Sequence, residues 1–104
     1  MQQDRVHHAV ALLELHVSGA TSRKDRRAHL QRLRRGLIDD LGCSVAEVGG
    51  QETWQRIVLG IAVAESSASG LDRVLERIVP MAERDPGLVV TRLEVHRDTL
   101  DGDD

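Results

Sequence analysis

The chain has 104 residues, 40% of them hydrophobic, and a formal net charge of −3, enough for one domain with one modest core. Its single cysteine, Cys43, excludes an intrachain disulfide and suits a reducing compartment as a packed structural thiol. No apolar run nears the ~18 residues of a membrane span, and the start, MQQDRVHH, lacks a charged-then-apolar leader, so a cytoplasmic protein without membrane contact is expected.

Val6 to Val17 is apolar at Ala9, Ala11, Leu13, Leu15 and Val17 and mixed at the positions between, the period-two pattern of a strand with one wet side. After the turn residues SGATS, a helical stripe of Leu30, Leu33, Leu37, Ile38 and Leu41 stops at Gly42. Cys43 to Val48 reads as a second strand, Gly49-Gly50 as a turn, and Arg56 to Ala64 as a third strand whose bulky side faces the helices. Ser69 with Asp72 suggests a capping box for a second helix bearing Leu71, Val74, Leu75, Ile78 and Ala82. Pro80 predicts a kink or an early stop near Val79, because a proline there removes a hydrogen bond to the Glu76 carbonyl and clashes with it. Asp85-Pro86-Gly87 is a turn and Leu88 to His96 a last strand, leaving residues 98–104, with Asp98, Asp101, Asp103 and Asp104, as a disordered acidic tail behind a single domain over 1–97.

Strand, helix, strand, strand, helix, strand, with both helices covering one sheet face, is the split β-α-β arrangement of an α+β ferredoxin-like sandwich with its first and third strands central. The segments LELHVSGATSRKDRRAHLQRLRR, CSVAEV and GQETWQRIVLGIAV resemble the YlxP-like family of bacterial proteins, from about Val10 to Val95. The carrying residues are Leu13 to His16, the Ser22, Lys24, Arg26, Arg27 series, Ser44 to Val48 and Trp54-Gln55-Arg56. The resemblance implies a ferredoxin-like fold in a domain family of unknown function, often encoded near translation and ribosome-maturation genes. Three positions depart from the family pattern: Ser18 where proline is common, Arg23 where leucine is usual, and Pro80 in a helix that normally runs on.

Charge is uneven. Seven of the 14 basic residues lie in SRKDRRAHLQRLRR, residues 22 to 35, with one acid, while the rest of the chain holds 16 acidic residues. Ser22 can cap the helix while Asp25 reaches back, which places Arg23, Lys24, Arg26 and Arg27 near the first turn. The helix dipole opposes cations there, at about 0.3 to 1 kcal/mol each. Free amides beside cations make an anion site, and with Arg35 these residues form a candidate phosphate or RNA contact. The alternative is that the arginines lie along the apolar stripe and pair with carboxylates, with Arg26 and Arg34 bordering that stripe. The chain has no Phe or Tyr, so base stacking on the sheet is excluded and any RNA contact is backbone-directed, favouring structured RNA or the ribosome. Trp54 is expected to anchor one end of the core.

The open sheet face is expected to present Val10, Leu12, Val58, Gly60, Ala62 and Val90 among Glu14, His16, Arg56, Arg92, Glu94 and His96. Small apolar patches in a charged rim suit a protein partner or a homodimer, the second candidate function. Antiparallel pairing of the first and last strands sets His16 near Val90, His96 near Val10, some 20 Å apart, and Glu14 against Arg92 as an ion pair, so no shared metal site forms. No cofactor is implied. The loop Ser18 to Ser22 before Arg23 offers a phosphoryl cradle, but the chain has no asparagine to orient a water and no predictable histidine base, so an enzyme is the third reading.

Overall fold

The structure is a computed structural model that describes residues 4–102. Alternation and helical stripes resolve into β1 (Arg5–Val17), α1 (Arg23–Asp39), β2 (Ser44–Gly49), β3 (Arg56–Glu65), α2 (Ala68–Glu83) and β4 (Leu88–Asp101). The sheet order is β2-β3-β1-β4, with every neighbouring pair antiparallel. This is an α+β ferredoxin-like fold with β1 and β3 central. Odd positions of β1 and β3 face the helices and build the core: Leu13, Leu15, Val17, Ile57, Leu59 and Ile61 are essentially sealed from solvent beside Leu37, Leu71 and Ile78. Cys43 is buried, and burial together with the charge of Glu65 pushes its thiol pKa up, keeping it an unreactive packed group.

The pairing of β1 with β4 contains the feature that sequence periodicity misses. Leu15 faces Val90 and Glu14 faces Arg92, so Thr91 is an extra residue and β4 is bulged. A bulge shifts side-chain parity by one. Val90 therefore points to the core side with Leu93, not to the open face with Arg92, Glu94 and His96. His16 pairs with Val89 and His96 with Val10.

Three boundaries differ from expectation. The residues from Asp98 to Asp101 are not tail but the end of β4, paired with Arg5 to His8. Composition argues for disorder there, but a partner strand is available: Val6 meets Leu100, the His7 ring lies 3.3 Å from the Thr99 hydroxyl and Arg5 lies 4.0 Å from Asp101. Asp103 and Asp104 lie outside the described residues. The second helix is capped by Ser67, whose hydroxyl accepts from the Gly70 N–H at 3.0 Å, rather than by Ser69. Asp72 accepts instead from Arg97 of β4 at 2.6 Å. Pro80 does not end that helix, which runs to Glu83. Burying Met81 and Ala82 holds the last turn against the ~3 kcal/mol that an interior proline costs.

Candidate nucleic-acid interface

The entry of α1 is built as a cap. Ser22 has extended backbone (φ −155°, ψ 163°), and its hydroxyl accepts from the Asp25 N–H at 3.1 Å. The Asp25 carboxylate reaches one residue further back than a capping box requires, accepting from the Thr21 N–H at 3.2 Å and the Thr21 hydroxyl at 3.1 Å. Those bonds, the backbone one first, hold its pKa below the ordinary carboxylate range. A permanent anion thus already sits at this helix end, where it satisfies the dipole and competes with any external phosphate for the first-turn field.

Arg26 is a structural residue, a correction to its place among the anion contacts. It is 7% exposed. Its Nε donates to the Arg56 carbonyl at 2.9 Å, and its Nη2 meets the Glu47 carboxylate. Glu47 pairs with Leu59 in the sheet, so it shares the helix-facing side with the core residues and meets the arginine that borders the α1 stripe. The signal was available: Val45 and Glu47 are two positions apart in one strand. Arg32 is also engaged, with Asp85 at 3.1 Å and the His29 ring at 3.0 Å. His29 Nδ1 lies 2.6 Å from the same carboxylate, a cluster that fastens α1 to the turn before β4. Burial raises the Asp85 pKa, but the bonds from His29, the Gly87 N–H and Arg32 outweigh it and the net shift is downward. Sequence reasoning missed this cluster because residue 29 and residue 85 belong to different elements with no shared pattern.

Arg23, Lys24, Arg27, Arg34 and Arg35 remain, all exposed. Among the described residues none of the five has an ion-pair partner. At about 100° per residue, Arg23, Arg34, Arg27, Lys24 and Arg35 fall within one arc of roughly 120°. Asp25 and Asp39 fall outside that arc, so the outer flank carries no carboxylate of its own helix. From Arg23 to Arg35 the flank is about 18 Å long at 1.5 Å per residue. A shallow pocket of about 240 Å³ opens beside its first turn, lined by Arg23, Arg26, Arg27, Leu30, Glu47 and Gln51. The candidate surface is therefore a flank of α1 and not its N-terminus, and Ser22 acts as the cap.

The open sheet face carries the second candidate set. Val10, Leu12, Glu14, His16, Arg56 and Arg92 all present there, joined by Val48 of β2. Val58 shares this side but is 5% exposed and contributes nothing to the surface. A groove of about 400 Å³ runs between Val10, Leu12, Val48, Gly60, Glu94 and His96. Glu14 and Arg92 are opposite each other, yet Glu14 accepts from Arg56 at 3.0 Å while Arg92 pairs with Glu94. The hydrogen bond from Arg56 leads in lowering the Glu14 pKa. Trp54 is 47% exposed and outside the core, not an anchor for it, because it sits in the turn before β3. Among the described residues no group of three or more His, Cys, Asp or Glu side chains could hold a metal ion, and no helix is long and apolar enough to cross a membrane.

Residues 9–95 match the model of a family described as a protein of unknown function, DUF503. The chain belongs to the DUF503 family. A relative in Bacillus subtilis (strain 168), the uncharacterized protein YlxP, is 34% identical over 77 residues, covering 72% of this chain and 84% of YlxP. Among solved structures, the de novo designed protein Foldit4 superposes with a TM-score of 0.53 at 12% identity, over 88% of this chain and 96% of that one. A variant of SnoaB, a cofactor-independent oxygenase from Streptomyces nogalater, gives 0.51 at 10% identity, over 89% and 90%. At such identities the likeness is one of fold alone. The DUF503 match covers all six elements in whole or in part, and it takes in the α1 flank and the groove of the open face except His96.

Proposed function

We propose that this DUF503 protein is a non-catalytic binding protein for structured RNA, alone or within the ribosome, gripping the phosphate backbone along the outer flank of α1. The observation that carries the reading is the acid-free arc of Arg23, Lys24, Arg27, Arg34 and Arg35, exposed cations without carboxylate partners among the described residues, in a chain of net charge −3. Uncompensated cations on one helix face repel each other, and a polyanion removes that repulsion while releasing its condensed counterions. The exposed aromatic inventory is Trp54 alone, which favours shape and phosphate contacts over base stacking. The genomic setting noted for the YlxP-like family agrees with an RNA partner.

Fluorescence anisotropy with a base-paired RNA hairpin, titrated at several salt concentrations, tests this. Binding should weaken steeply with salt, and Arg27→Ala and Arg34→Ala should each lower the salt slope by about 1 and weaken all sequences alike. Salt-independent binding, or equal affinity for the double variant, refutes it.

A further inference from the structure

The two sheet edges are finished differently. The β2 edge is six residues long and irregular near Val48, between Glu47 and Gly49, the kind of device that blunts an edge. The β4 edge is 14 residues long, carries its bulge at Thr91, and then runs regularly to Asp101 without a proline or lysine. From Arg92 to Thr99 every second residue turns its N–H and C=O away from β1, and among the described residues this ladder is open to another strand except at the Thr99 N–H, which donates to the Asp98 carboxylate at 2.8 Å. Typical strands are about 5 to 6 residues, so this edge is unusually long to leave bare.

Its side chains say which strand fits. We propose that β4 pairs antiparallel with β4 of a second copy of this chain, about a two-fold axis at Val95, joining two four-stranded sheets into one of eight strands. In that register Arg92 lies opposite Asp98, Glu94 opposite His96, Leu93 opposite Arg97 and Thr91 opposite Thr99, each pair occurring twice by symmetry. No like charges meet across the nine residues from Thr91 to Thr99. Neighbouring registers fail by charge: centring on Glu94 sets that carboxylate against its own copy, centring on His96 sets Glu94 against Asp98, and centring on Arg97 opposes two guanidinium groups. Centring on Leu93 runs into the bulge at Thr91 after two residues. In the single chain Glu94 is shared between Arg92 and His96, its neighbours two positions away on the same strand. Pairing exchanges these exposed local contacts, worth little in water, for cross-strand ones backed by backbone hydrogen bonds. The surface involved lies on the sheet edge, away from the α1 flank, so it stands or falls independently of RNA binding.

Sedimentation of the full chain over micromolar to submillimolar concentrations should give a species of twice the 11.5 kDa chain mass. Arg92→Glu, and separately Asp98→Arg, should dissociate it, and the double variant carrying both should restore it. Within one chain those two positions are six residues apart, about 20 Å, so the restoration arises only across the axis. Circular dichroism confirms that each variant is folded, and Asp98→Arg serves alone if Arg92→Glu is not. A strictly monomeric parent overturns the proposal. So does a dimer that survives the folded single variants, or a folded double variant that stays monomeric. A dimer broken by Val10→Asp but not by Asp98→Arg also overturns it, placing the contact on the open face instead.

Discussion

Removing the Glu47 carboxylate by Glu47→Ala leaves the Arg26 guanidinium buried with one hydrogen bond, to the Arg56 carbonyl, and no counter-charge. The two side chains are 9% and 20% exposed, so water can replace the carboxylate only in part. Breaking one side of such a pair costs about 3 to 5 kcal/mol. The partial exposure of Glu47 places the expectation at the lower end, about 3 kcal/mol, against a total stability of about 5 to 15 kcal/mol for a domain of this kind. At about 4 to 8 °C per kcal/mol the melting temperature should fall by roughly 12 to 24 °C. Replacing both partners, Arg26→Met with Glu47→Leu, removes the stranded charge together with its partner and should return stability to within about 1 kcal/mol of the parent. Urea unfolding followed by circular dichroism at equal protein concentration measures all three chains. A loss below about 1 kcal/mol for Glu47→Ala would show the pair to be screened like a surface ion pair. A double variant no better than the single would show that packing around Arg26, not its charge, matters. Either result removes the argument that Arg26 and Glu47 stabilise the fold as a desolvated charge pair, and the double variant should also keep the parent's salt slope for RNA.

Two further outcomes follow from the turns and the carboxylates. Gly50 has φ +83°, and a Cβ there would sit 2.6 Å from the Arg56 carbonyl oxygen, the same oxygen that receives Arg26. Gly50→Ala should therefore cost about 1 to 3 kcal/mol and exceed Gly19→Ala, where φ is +73° but nothing lies within 4 Å; equal urea midpoints for the two would contradict the steric account. Glu14, Asp25, Asp85 and Glu94 all have folded-state pKa values below their ordinary ones. Their contributions are present above the unfolded carboxylate range and are lost as pH falls through the folded values, so the urea midpoint should hold near neutrality and decline below about pH 4.5. A midpoint unchanged down to pH 3 would refute these assignments.

The order of the six elements and the identity of the core were legible locally, because burial of one sheet face imposes alternation on β1 and β3 and a 3.6-residue stripe on α1. Leu13, Leu15, Ile57 and Leu59 stand where period two puts them. Two of the places where local reading departs from the structure share a cause: a partner distant in sequence supplied the deciding energy. Asp98 to Asp101 became strand because Arg5 to His8 offered backbone partners, and α2 passed Pro80 because Met81 and Ala82 found the core.

The cationic stretch from residue 22 to residue 35 divides along the same line. Its composition and its helix are local properties, set by side-chain type and spacing. Which cations are free is not: Arg26 is neutralised by Glu47 from β2 and Arg32 by Asp85 from the turn before β4, leaving the outer arc of α1 without an ion-pair partner among the described residues. The facing of β4 before Thr91 was likewise decided in three dimensions, since one extra residue against β1 puts Val90 on the core side while Arg92, Glu94 and His96 keep the open face. Periodicity acts between neighbours along the chain, whereas charge compensation and strand register are settled between elements that only the folded molecule brings together.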